Sequence, residues 1–225
     1  MFDFKKEQKE LYLPKSNPHI IDVPKMNFIA FKGKGNPNEQ DGEYSKSIRL
    51  LYGVAYTLKM SYKSKRKIEG FIEYVVPPLE GFWWIEGLKG MDYTRKNEFS
   101  FISFIRVPDF IKEEDVNWAI EKVSKKKNID YSDVYYMTYD EQTVVQCMHI
   151  GPYDDEQETV DKMHEYVVDK GYEFDFSTRH HHEIYISDPR KTDPNKLKTI
   201  IRHPVKIKKW VNNQFNTIIC DVFIE

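Results

Sequence analysis

Two segments of the chain run through the same order of events. KMNFIAFKGKGNP, residues 25–37, is an apolar run that breaks at Gly and Pro and leads through an acidic loop into a helical pattern. TVVQCMHIGPYDDEQE, residues 143–158, does the same. Each is followed by two further strand-like stretches. Identity between the two segments is poor, so the signal is the order strand–helix–strand–strand rather than the letters. An order that occurs twice points to a duplicated unit with a pseudo-twofold axis.

The remaining elements fit that frame. Apolar runs at 25–33, 99–108, 134–139, 143–151 and 196–205 read as strands, and 69–87 reads as extended on both sides of Pro77-Pro78, which cannot donate ladder bonds. Helical spacing appears over 44–62 (Ile48, Leu51, Tyr52, Ala55, Tyr62), over 112–127 (Val116, Ala119, Ile120, Val123) and over 155–169 (Val160, Met163, Val167), with Gly171 as the last helix's cap. Three helices for about seven strands predict an α+β fold, with helices on one face of a largely antiparallel sheet. The expected organisation is an arm at 1–24, a body at 25–207 and an extension at 208–225. The body divides into halves at about 25–110 and 130–207, linked by the 112–127 helix. NTIICDVFIE, at the end, reads as a further strand.

Bulk properties exclude several function classes. A net charge of −2 supplies no basic field for nucleic acid or anionic membrane. The first fifteen residues are charged throughout and lack a signal peptide's apolar core, and no run approaches the roughly 20 apolar residues of a membrane helix. A cytoplasmic protein is expected, with Cys147 and Cys220 as reduced, buried side chains. Aromatic residues make up 15% of the chain, enough either for a bulky core or for a ring-walled pocket around a flat ligand.

One residue resists the dull interpretation. In RHHHEIYISDP (179–189) alternation puts Glu183 on a face with His181 and Tyr185, and His182 with Ile184 and Ile186 on the other. The isoleucine face is the one expected beneath the helices, which turns Glu183 away from them and toward aromatic groups. A carboxylate there attracts a cation or serves as a base or acid near neutral pH. The alternative is an ordinary strand residue paired with Arg179 or Lys198. The candidate ring set is Tyr52, Tyr56, Trp83, Trp84, Phe104, Tyr136 and Tyr185, each of which could equally be core. Adjacent Trp83 and Trp84 must face opposite ways. Of His180, His181 and His182, at most two can share an ion, and no partner sits at metal spacing, so no metal or other cofactor is expected. GKGNPN (33–38) lacks the third glycine of a dinucleotide fingerprint, and DDEQE (154–158) reads as a helix start with acid at the positive dipole end.

HIGPYDDEQETVDKM together with HHEIYISDPRKTDPNKLKTIIRHPV resembles the GyrI-like small-molecule-binding family. PPLEGFWWIEG, MSYK (60–63) and the RVPDFI-plus-helix segment (106–120) resemble its stand-alone branch. The likeness runs from about residue 10 to 207 and leaves the tail after Lys208 unmatched. It implies SH2-like strand–helix–strand–strand halves meeting at a groove that takes flat, often cationic or aromatic compounds. A subfamily hydrolyses cyclopropane-bearing DNA-alkylating compounds within an aromatic cage. Other members are effector domains of transcription regulators or a gyrase inhibitor. The family's acidic pocket residue in the E-x-Y strand falls on Glu183, with Tyr185 beyond it and His181 beside it. The implied partner is therefore a small planar ligand, without direct nucleic acid contact or a membrane. Hydrolysis of reactive ligands is the favoured expectation, and a non-catalytic regulator is the alternative.

Overall fold

The computed structural model describes residues 1–88 and 91–208. Cys220 and the strand expected at 216–225 lie outside the described residues.

In chain order the elements are α1 (Phe4–Glu7), α2 (Lys9–Tyr12), β1 (His19–Val23), β2 (Met26–Lys34), α3 (Glu43–Lys59), β3 (Leu79–Ile85), β4 (Phe99–Val107), α4 (Glu113–Lys127), β5 (Tyr135–Tyr139), β6 (Gln142–Ile150), α5 (Gln157–Asp169), β7 (Tyr172–Phe174), β8 (His181–Tyr185) and β9 (Lys198–Ile207). The main sheet runs β1-β6-β9-β8-β3-β4-β2-β5, with β7 added against β9. All of these pairings are antiparallel.

That order is a palindrome of structure. The unit β2-α3-β3-β4 contributes the order β3-β4-β2, and the unit β6-α5-β8-β9 contributes β8-β9-β6. The units join where β3 pairs with β8, in the register Gly81↔Glu183 and Trp83↔His181. The outer strands obey the same symmetry, β5 flanking β2 and β1 flanking β6. The segment expected as an arm therefore supplies an edge strand.

Two sequence expectations are corrected here. Residues 69–76 lie outside the sheet except for an isolated bridge between Tyr74 and Phe2. More important, the isoleucine face of β8 does not lie beneath the long helices. Glu183 pairs across the ladder with Ile201, which packs with Val160, Met163 and Val167 of α5, and Trp83 packs with Leu51 and Val54 of α3. Glu183 is thus on the helix-bearing face. Ile184, Phe82, Phe104 and Ile200 form the core of the opposite face, covered by Phe4, Leu11 and Tyr12 of the two short N-terminal helices. The alternation was correct and the covering layer was not. Those short helices carry few apolar residues amid lysine and glutamate, which concealed their role as a lid.

Candidate functional site

Helix α3 carries two neighbouring stripes. Leu50, Leu51, Val54, Ala55 and Leu58 are buried against the sheet. Beside them Tyr44, Ile48, Tyr52 and Tyr56 repeat every four residues and so stand above one another along the helix. That second stripe forms one wall of a groove of about 1140 Å³ between the halves. Tyr93 and Tyr153, on short 3₁₀ turns, and the end of β8 close the other side.

Trp83, Glu183 and Tyr185 lie at the bottom of the groove. The Trp83 indole N–H donates to the Tyr185 hydroxyl at 2.9 Å, and Tyr185 hydrogen-bonds Tyr44 in turn. Tyr44 packs on Trp83 with ring centroids 5.0 Å apart, and Tyr153 meets Tyr185 edge-on at 5.7 Å. Burial, then the charge on Glu183, holds the Tyr185 phenol far above the usual tyrosine range, so it stays protonated. Gly81 lies across the ladder from Glu183, and its missing side chain leaves the room that the indole and phenol occupy.

Beneath this surface lies a charged cluster. Glu183, 8% exposed, accepts from His181 Nε2 at 3.1 Å, and Glu156, 1% exposed, lies 3.3 Å from the same nitrogen. His181 Nδ1 is 2.7 Å from His203 Nε2, and Tyr93 donates to Glu156. Burial works against a charged His181, but the Glu156 and Glu183 carboxylates outweigh it and hold the ring above its ordinary range. His203 is driven well below its ordinary value by burial and by the His181 charge. These opposed shifts favour the charge on His181, donating from both nitrogens, with His203 Nε2 as the acceptor. Burial, then the Glu183 charge, raises Glu156 to about 8. Among the described residues, Glu156, His181 and Glu183 are the three metal-competent side chains whose donor atoms converge, within 4.8 Å.

His182 makes a separate network on the opposite face. Its ring nitrogens meet Glu141 at 2.7 Å and Glu80 at 3.1 Å. Arg202 donates to Glu141 at 3.0 Å, and Tyr12 donates to Glu80 at 3.2 Å. These groups are buried beneath the N-terminal helices, so His181 and His182 serve opposite faces of the sheet.

Of the side chains singled out from sequence, Glu183, Tyr52, Tyr56, Trp83 and Tyr185 line the groove, and His181 lies just under it. Tyr52 stacks on Tyr56 at 6.2 Å, and Tyr56 is 52% exposed at the mouth. Trp84, Phe104 and Tyr136 do not join them. Trp84 faces the other way, stacked on His180 at 4.3 Å, and Phe104 is fully buried between Phe28 and Phe82. Tyr136 lies on the outermost strand β5, against the first half's core. Sequence reasoning missed Tyr44, Tyr93, Tyr153 and Glu156. For Tyr44 the signal was present, four residues before Ile48 and eight before Tyr52. The other three reach the site from turns whose course no local pattern reveals.

Residues 16–206 match the family model of the GyrI-like small molecule binding domain. A crystal structure of a hydrolase from Listeria innocua is 44% identical, covers 92% of this chain and all of its own, and superposes with a TM-score of 0.83. Another crystal structure of a hydrolase from that organism is 45% identical over 91% of this chain and 99% of its own, with a TM-score of 0.84. An uncharacterized conserved protein from Listeria innocua is 45% identical over 92% of this chain and 100% of its own, with a TM-score of 0.86. No curated protein matches. Among the described residues no helix is long and apolar enough to cross a membrane.

Proposed function

The chain belongs to the GyrI-like small-molecule-binding family, and from that premise we propose that its groove takes planar aromatic compounds, cationic ones among them, and hydrolyses reactive members that carry a strained cyclopropane. The observation that carries this reading is a buried carboxylate, Glu183, at the bottom of a groove walled by Tyr44, Tyr52, Trp83 and Tyr153. A carboxylate so placed favours cations, and rings around it favour flat bodies. The close relatives named as hydrolases support the catalytic part.

The reaction follows from the groups present. Aromatic walls hold a ring-conjugated cyclopropane in one pose, which lowers the entropic barrier. Glu183 accepts a proton from a water molecule as the water oxygen bonds to the strained ring carbon. The ring C–C bond breaks, and its electron pair moves through the conjugated system to the carbonyl oxygen. A tyrosine hydroxyl in the groove donates a hydrogen bond to that oxygen, and Tyr44 and Tyr185 are buried phenols that feel the Glu183 charge. The proton taken by Glu183 finally reaches the carbonyl oxygen, so the product is the substrate with one water added.

The test is incubation with a cyclopropane-bearing alkylator and chromatography of the ring-opened product. Glu183→Gln should slow turnover by about 10²- to 10⁴-fold, the usual contribution of one positioned base. Equal turnover in both proteins removes Glu183 from the reaction. Tight binding without product in the wild type reassigns the groove to sequestration.

A further inference from the structure

The described reaction uses one carboxyl, yet two are buried together. Glu156, the N-cap residue before α5, reaches Glu183 through a single N–H of His181, at 3.3 Å and 3.1 Å. One N–H cannot fully satisfy two anions. Tyr93 and His181 both address Oε1 of Glu156, and its Oε2 is buried with no hydrogen-bond partner among the described residues. An ionised carboxylate with one oxygen dry and unpaired, beside a second carboxylate, is the arrangement burial penalises most.

The other groups facing Glu156 do not remove that penalty. Asp154, two residues earlier in the chain, adds negative charge and is itself paired with Lys96. Tyr93, from the turn at 93–98, is neutral and donates to Glu156, adding a hydrogen bond but no charge. From β8 come the His181 cation and the Glu183 anion, which balance one another. His203 of β9, behind His181, is neutral. A second negative charge at Glu156 is therefore the one member of the cluster without a matching positive charge. A cationic ligand over Glu183 would supply it.

We propose that Glu156 is a specificity-determining residue of the groove: it stays neutral beside Glu183 until a planar cation lies over the pair, and then gives up its proton to the solvent. The groove thereby adapts its charge to the ligand. A neutral aromatic meets a cluster with no net charge, and a cation meets one with a single net negative charge. This inference rests on the reading that ligands lie over Glu183, and it adds a proton released with each cation bound.

The raised titration of Glu156, near 8, sets the window. The sign follows from linkage. The complex holds fewer protons than the free protein, so cation affinity rises with pH below about 8 and levels off above it. With full release the dissociation constant falls about tenfold per pH unit in that window.

The probes are N-methylacridinium, a permanent planar cation, and acridine, its neutral counterpart above pH 7. Each is titrated into wild type, Glu156→Gln and Glu183→Gln between pH 7 and 9. Calorimetry in buffers of different ionisation enthalpy counts the protons released. The wild type should bind the cation more tightly as pH rises, releasing up to one proton at pH 7, and should bind acridine without pH dependence. Glu156→Gln should bind the cation with a flat pH profile, at least tenfold more weakly than wild type at pH 8.5, with no proton released. Its acridine affinity should be unchanged, which reports an intact groove. A purely structural role for Glu156 would change both probes together and leave the pH slope in place, overturning the proposal. A Glu156→Gln protein that keeps the wild-type slope and proton count also overturns it. Glu183→Gln separates the two readings: loss of cation preference there, with a wild-type slope in Glu156→Gln, sinks this inference alone. Unchanged affinities in Glu183→Gln, or no binding of either probe to wild type, sinks the groove reading and this inference with it.

Discussion

Gly81 offers a test of the groove that needs no ligand. It lies opposite Glu183 in the β3–β8 ladder, and a Cβ there would sit 2.9 Å from the Trp83 indole nitrogen and 3.4 Å from the Tyr185 hydroxyl. The first distance is below any contact real Cβ atoms make, and Trp83 has nowhere to move, because it is buried against Tyr44, Phe99 and Phe101. Gly81→Ala must therefore displace the indole by roughly half an ångström and stretch or break its 2.9 Å bond to Tyr185. Overpacking of this kind costs about 1–3 kcal/mol and loss of a buried hydrogen bond about 1 kcal/mol. Reduced freedom of the unfolded chain returns somewhat under 1 kcal/mol. We expect a net destabilisation of about 2 kcal/mol, or about 4–8 °C in melting temperature for a chain of this size. Chemical denaturation followed by tryptophan emission reads both the midpoint and the environment of Trp83. A midpoint within about 0.5 kcal/mol of wild type, with unaltered native emission, would refute the claim that the indole and phenol are packed over this glycine.

Three further outcomes are expected. Glu141 is held at about 2: burial opposes its charge, but His182 and Arg202 outweigh burial. Its contribution, on the order of 3 kcal/mol, should be present at neutral pH and drain away as pH falls from about 4.5 toward 2, a loss that Glu141→Gln would remove from an acid-unfolding curve. His182, raised because Glu141 and Glu80 overcome its burial, acts in the opposite sense, stabilising in acid and losing that effect as pH climbs through its raised value; denaturation midpoints of His182→Gln across pH 5–9 would show it. A planar dye in the groove should quench Trp83 and leave Trp84 untouched, so Trp83→Phe should abolish most of the ligand-induced quenching while Trp84→Phe retains it.

Much of this architecture is legible in the letters because local patterns dictate it. The doubled strand–turn–acid–helix order gave the pseudo-twofold, and period-two alternation put Glu183, His181 and Tyr185 on one face and separated Trp83 from Trp84. What alternation cannot supply is which layer covers which face. Phe4, Leu11 and Tyr12 are scattered through a charged stretch, yet their short helices shield Ile184 and Phe82, which leaves Glu183 beneath the long helices instead. The site's second carboxyl was hidden for a related reason. At the head of a helix Glu156 looks like a residue placed for the dipole. Only the meeting of β3 and β8 brings the α5 start, the 93–98 turn and His181 within hydrogen-bonding reach of one another.

The most direct measurement is a crystal structure of the protein with N-methylacridinium. The tricycle should lie between the Tyr52 stripe of α3 and Tyr153, with its charged ring within about 4–5 Å of the Glu183 carboxylate. A tricycle seated elsewhere on the surface, or held in the groove with its charge directed away from Glu183, would contradict the account.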